Sequence, residues 1–238
     1  MSLHHRMYPE RVLEYHEKGK ISDELLRSFY ASLPNLDMAI KEVEQVSKID
    51  YPPLIIDPTL NIVQYPASTF SSTVIYASTK VNRIGEVFQL CVEMSLPFLQ
   101  YAKPDTLRAC VAHEFLHYIY STIALDSKSF MNLSSERLDA PEIFIAFDET
   151  HSARSEEWLN SIELVELIKK IFNPIVDDKE LETAIKENWM EKGLPIRYLT
   201  GDESMISIPI LEATKIPLDL KILQLSRDKK GFKGSAIP

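Results

Sequence analysis

The sequence predicts an α+β fold in which a small mixed sheet packs on one central helix, with helical parts at both ends. Three observations carry this expectation. Apolar residues recur at helical spacing up to Val46, and short β-type runs bounded by Pro, Asn and Gly fill 52–95. From Thr106 to about Leu125 the chain then keeps an unbroken helical pattern that is apolar on almost every side, the mark of a central helix.

The opening elements read as amphipathic helices. Tyr8 to Lys18 is short and charged and ends at Gly19, and Ser22-Asp23-Glu24 caps a second helix to about Leu33, where Pro34 is expected to stop it. Asn35 is expected to cap a third helix carrying Leu36, Ala39, Ile40, Val43 and Val46. Strand candidates follow at 52–56, 62–65 and 73–77. The clearest strand is Val87 to Ser95, where Phe88, Leu90, Val92 and Met94 alternate with Gln89, Cys91 and Glu93. Asn82 and Gly85 fall in the connection before it, so 73–95 reads as a hairpin.

Pro104 and Asp105 supply the start signal of the central helix, which contains Ala112-His113-Glu114-Phe115-Leu116-His117-Tyr118. Histidines four apart on a helix project from one face and can grip a single cation, while a Glu next to the first lies about 100° round the axis. That carboxylate is placed to take a proton from water activated by the metal. His, Glu and His in an otherwise apolar helix need partners, and a divalent cation supplies one for each. The pattern therefore predicts Zn²⁺ on His113 and His117 with Glu114 as general base, the chemistry of a metal-dependent hydrolase.

Composition narrows the remaining classes. Net charge is −9 with no Lys/Arg-rich block, which argues against a nucleic-acid surface. Cys91 and Cys110 sit in apolar surroundings without ligand-like spacing and read as buried free thiols, too few for a disulfide scaffold. No apolar run approaches the ~18 residues of a membrane span, and no signal peptide is recognised, so a cytoplasmic protein without membrane contact is expected. Beyond the central helix, Phe147 to Asn160 leads into a helix reaching about Phe172, Asn173-Pro174 breaks the chain, and Asp177 to Lys192 reads as a helix ending at Gly193. Ile206–Leu211 and Leu218–Leu223 are short apolar runs, and Lys229-Lys230-Gly231-Phe232-Lys233 reads as a mobile basic tail.

A mixed sheet beside a His-Glu-x-x-His helix resembles the zincin metallopeptidases, and the resemblance spans about residues 36–172 with the pentapeptide as its specific part. It implies a peptide or protein substrate. It also implies an edge strand along the cleft that pairs with the extended substrate by strand addition, a part open to either edge of the 73–95 hairpin. Metzincins need Gly at 120 and His at 123; Tyr120 and Ile123 stand there, so that class is excluded. Asp148-Glu149-Thr150-His151-Ser152 is similar to the Asn-Glu-x-x-Ser pattern of thermolysin-like gluzincins, which carries Glu149 over as third ligand and Ser152 as a small packing residue. Glu156, with Asn160 beyond it, and Glu157, heading the stripe of Ser161, Leu164, Ile168 and Ile171, remain alternatives for the third ligand, with His151 behind them. His151, Tyr118 and Tyr120 are candidates by residue type for stabilising an oxyanion.

These readings divide the chain into N-terminal helices (1–34), a zincin-like catalytic core (35–172) and a C-terminal lobe (173–238). The expected function is a zinc-dependent hydrolase, foremost a peptidase. The alternative is a metal-binding regulatory or interaction protein whose hydrolytic site is idle or serves one partner.

Overall fold

The structure is a computed structural model, and it describes residues 6–64, 72–126, 142–144, 155–172, 179–200, 207–209 and 215–234. In chain order these form β1 (Met7–Tyr8), α1 (Glu10–Glu17), α2 (Asp23–Ser47), β2 (Leu54–Asp57), β3 (Leu60–Gln64), β4 (Ser72–Ile75), β5 (Ala77–Ile84), β6 (Val87–Ser95), α3 (Leu96–Tyr101) and α4 (Pro104–Asp126). They continue with β7 (Glu142–Phe144), α5 (Ser155–Trp158), α6 (Ile162–Ile171), α7 (Lys179–Ile185), β8 (Ile196–Thr200), β9 (Ser207–Pro209) and α8 (Leu220–Gly234). The mixture of helices with small sheets is an α+β architecture.

The N-terminal half differs from expectation at Pro34. Ser22 caps α2 by accepting a hydrogen bond from the Leu25 backbone N–H at 3.2 Å, as its position predicts. The helix then runs straight through Pro34 to Ser47 instead of restarting at Asn35. Phe29, Leu33, Leu36, Ile40 and Val43 are all buried and form one stripe across the proline. Burying such side chains is worth about 1.5–3 kcal/mol each. That sum exceeds the ~3 kcal/mol a proline costs inside a helix.

The sheet that positions the site has the order β1-β2-β6-β5, with β1, β2 and β6 parallel and β5 antiparallel to β6. Strand β6 keeps the predicted bounds. Its hairpin partner is longer than expected, because Asn82 pairs with Gln89 inside the ladder and only Gly85-Glu86 form the turn. Gly85 has φ +62°, the left-handed value a two-residue hairpin turn needs at its first central position. The 73–77 run is split at Tyr76. Ser72–Ile75 joins β3 and β8 in a second sheet of order β4-β3-β8, and Ala77 begins β5. Among the described residues β5 is therefore an edge of the first sheet, while β6 is interior.

One face of this sheet carries Leu54, Ile56, Leu90, Val92 and Met94 into the core beneath α4. The other carries Asp57 and Glu93, both buried, toward α1. Arg11 holds Glu93 at 2.9 Å and Asp57 at 3.6 Å, Lys80 also pairs with Glu93, and Arg197 reaches Asp57 at 3.7 Å. Those cations meet the need of buried carboxylates for charge partners and tie α1, β5 and β8 to the sheet.

Helix α4 packs against α2, α6, α8, β5 and β6, the central position its apolar circumference predicts. The Tyr51 hydroxyl donates to the Val111 carbonyl at 3.0 Å and its ring stacks on Phe115, fixing the turn before the histidines. Arg108 binds both Glu42 carboxylate oxygens (2.8 and 2.6 Å) and Glu163 at 3.0 Å, joining α2, α4 and α6. The expected helix up to Phe172 is two helices, because Ser161 accepts from the Leu164 N–H and starts α6 anew. Helix α7 continues into one π-helical turn, Lys186–Met190, and Gly193 follows at φ +65°. The supposed basic tail is helical in its backbone to Gly234, within α8. No helix among the described residues is long and apolar enough to cross a membrane.

Candidate metal centre

The site is assembled from three elements: α4 supplies donors, β5 lies under one of them, and the end of α6 covers another. His113 and His117, one helical turn apart, bring their Nε2 atoms to 2.9 Å. Their rings meet edge to face, with centroids 4.5 Å apart and planes at 85°. Two neutral imidazoles at this distance set one N–H against one lone pair; a cation in place of that proton takes both lone pairs. The separation is less than twice the ~2.0–2.1 Å length of a zinc–imidazole bond, so both nitrogens can reach one ion. The donor atoms of His113, Glu114 and His117 all lie within 4.8 Å of one another, the one such group among the described residues.

Glu114 points off the histidine face, toward the sheet. It is buried, and its Oε2 accepts a hydrogen bond from Thr79 Oγ1 at 2.8 Å. The same hydroxyl lies 2.8 Å from the Glu114 backbone carbonyl, so one strand residue meets both ends of the glutamate. Burial pushes the Glu114 carboxyl up to about 7, against the downward pull of the Thr79 hydrogen bonds. Burial, with His117 adding to it, pushes His113 down to about 3. At neutral pH His113 is therefore a neutral imidazole with a lone pair to offer, and Glu114 is poised to exchange a proton.

The Phe172 ring lies flat on His113, with centroids 3.9 Å apart and planes within 9°. Ser121 donates to the His117 carbonyl at 2.7 Å, a local bond inside α4.

The remaining predicted residues are placed as follows. Glu149, His151 and Ser152 lie outside the described residues. Glu156 is exposed and its carboxylate takes Lys169 at 2.7 Å; Glu157 is exposed on the short α5. The break before Ser161 takes Glu157 off the stripe of Leu164 and Ile168, so burial no longer favours it. Neither carboxylate joins the donor group of α4. Tyr118 is buried against Phe115, on the core side of the helix, and Tyr120 is exposed. Cys91 and Cys110 are buried free thiols, both pushed up by burial.

Thr79 and Phe172 were not singled out from the sequence. Thr79 shares the alternation of β5 with buried Val81, which marks it as facing inward. Phe172 extends the spacing of four from Leu164 and Ile168, both buried. Comparison of the chain with protein-family models, with curated proteins and with solved structures gives no match.

Proposed function

We propose that this chain is a zinc-dependent hydrolase of the zincin type that cleaves peptide bonds. The observation that carries the reading is the convergence of two imidazole Nε2 atoms at 2.9 Å, with a buried, hydrogen-bonded carboxylate on the next residue. When bound, zinc supplies a Lewis acid that polarises a carbonyl and makes water acidic near neutral pH.

The chain's own residues do the rest. His113 and His117 hold the ion through neutral ring nitrogens, a state that the depressed pKa of His113 favours. Glu114 accepts the proton of the attacking water and returns it to the leaving amine. Its burial raises its affinity for a proton above that of a solvated carboxylate, which favours the acceptance step. Thr79 keeps the Glu114 carboxylate in place from beneath.

The position of β5 at the edge of its sheet among the described residues supports a peptide substrate, because an edge strand can accept an extended chain as an added strand beside the site. In this reading Glu149 is the third protein ligand, carried over from the Asn-Glu-x-x-Ser resemblance.

The test is Glu114→Gln, assayed against a mixture of unstructured peptides with cleavage sites read by mass spectrometry. The variant should keep zinc and lose cleavage by at least about a hundredfold. Loss of zinc, or full activity, would show that Glu114 does not act as the base.

A further inference from the structure

We propose that Phe172 is a positioning residue of the metal centre: its ring fixes the plane of the His113 imidazole and thereby sets metal affinity. The proposal rests on the reading of the His113–His117 pair as a metal site. Nε2 lies in the plane of its ring, so any tilt of that plane swings Nε2 out of line with His117. Within the described residues two aromatic contacts define the tilt. His117 meets His113 edge to face, and Phe172 covers one His113 face at 3.9 Å with planes 9° apart.

Near-parallel rings at this distance are in van der Waals contact, and rotation about the His113 Cβ–Cγ bond would drive the imidazole into the phenyl ring. Ligand histidines are usually fixed by a hydrogen bond to the second ring nitrogen. Phe172 adds an apolar surface that bears on the His113 ring from the side.

The placement of Phe172 is built into α6. Leu164 and Ile168 are buried on the α4 side, and Phe172 follows at the same spacing of four, one residue beyond the last of the helix. At the other end of α6, Glu163 is clasped by Arg108 of α4. The two helices are thus pinned at Arg108–Glu163 and again at His113–Phe172. Phe172 is 41 % exposed, so one side of its ring faces solvent while the other faces His113.

The experiment compares wild type with Phe172→Leu, which stays apolar but cannot stack, and Phe172→Tyr, which can. In the zinc-free chain, the His113 ring protons should show an upfield ring-current shift by NMR in wild type and F172Y, and lose it in F172L. Zinc affinity, measured with the metal alone by competition against a chromophoric chelator, should fall about tenfold or more in F172L and stay within about twofold in F172Y.

An F172L affinity within twofold of wild type overturns the proposal while leaving the metal reading intact. So does an F172Y variant as weak as F172L, or a His113 shift that F172L leaves unchanged. A wild-type chain that shows the ring-current shift but binds no zinc overturns both readings, and is distinguished by that combination.

Discussion

Glu114 and His113 are adjacent in the chain and are pushed in opposite directions by the same cause. Burial disfavours charge, so the carboxyl rises to about 7 and the imidazole falls to about 3. In the metal-free chain each shift has a sign. Between pH 4.5 and about 7 the unfolded chain has released the Glu114 proton while the folded chain still holds it, so stability falls as pH rises through that window. Below pH 6.5 the unfolded chain protonates His113 and the folded chain does so only near pH 3, so stability falls as pH drops through that range. Glu114→Gln removes the first effect and keeps an amide oxygen for Thr79. With zinc chelated, E114Q should gain on wild type between pH 5 and pH 8, approaching roughly 3 kcal/mol at the upper end. Denaturant titrations at the two pH values check this; a difference that does not change with pH would contradict it.

At the scale of elements, α2 and α4 show where local signals decide and where packing overrides them. Strand β6 and helix α4 were legible because their apolar periods of two and of nearly all-round helix leave little choice of surface to bury. Helix α2 was not, because Pro34 carries a strong local stop signal while the stripe from Phe29 to Val43 extends across it. Only tertiary packing decides such a contest. Pro34→Ala should therefore stabilise the chain by about 1–2 kcal/mol, the helix gain being partly offset by a freer unfolded chain. A lower melting temperature for P34A would mean that the proline is needed for the path of α2. The break before Ser161 was readable in principle, since Ser161 followed by Glu163 is a helix-start pattern. It was masked by the helical spacing on either side. The split at Tyr76 has a tertiary cause: its carbonyl accepts the Ser95 N–H at 2.8 Å and its ring stacks on Phe98.

At the scale of the whole molecule, the sequence showed the donors of the site but not their setting. His113, Glu114 and His117 are local to one helix, so a motif reveals them. Thr79 and Phe172 reach the same place from β5 and α6, 35 residues before Glu114 in one case and far after it in the other. No spacing rule links them. Among the described residues β5 meets this group at Glu114 and the end of α6 meets it at the His113 ring, while the two ring nitrogens come from α4 alone and are the pair that would share one ion. A ligand that binds only the folded chain must stabilise it, by about 2.7 kcal/mol when present at a hundred times its dissociation constant. The most direct measurement is zinc content after equilibrium dialysis, taken on wild type, Glu114→Gln, His113→Ala and His117→Ala. One zinc per chain is predicted for wild type and E114Q, with little or none in either histidine variant. A wild-type chain that takes up no zinc, or histidine variants that keep it, would contradict the account.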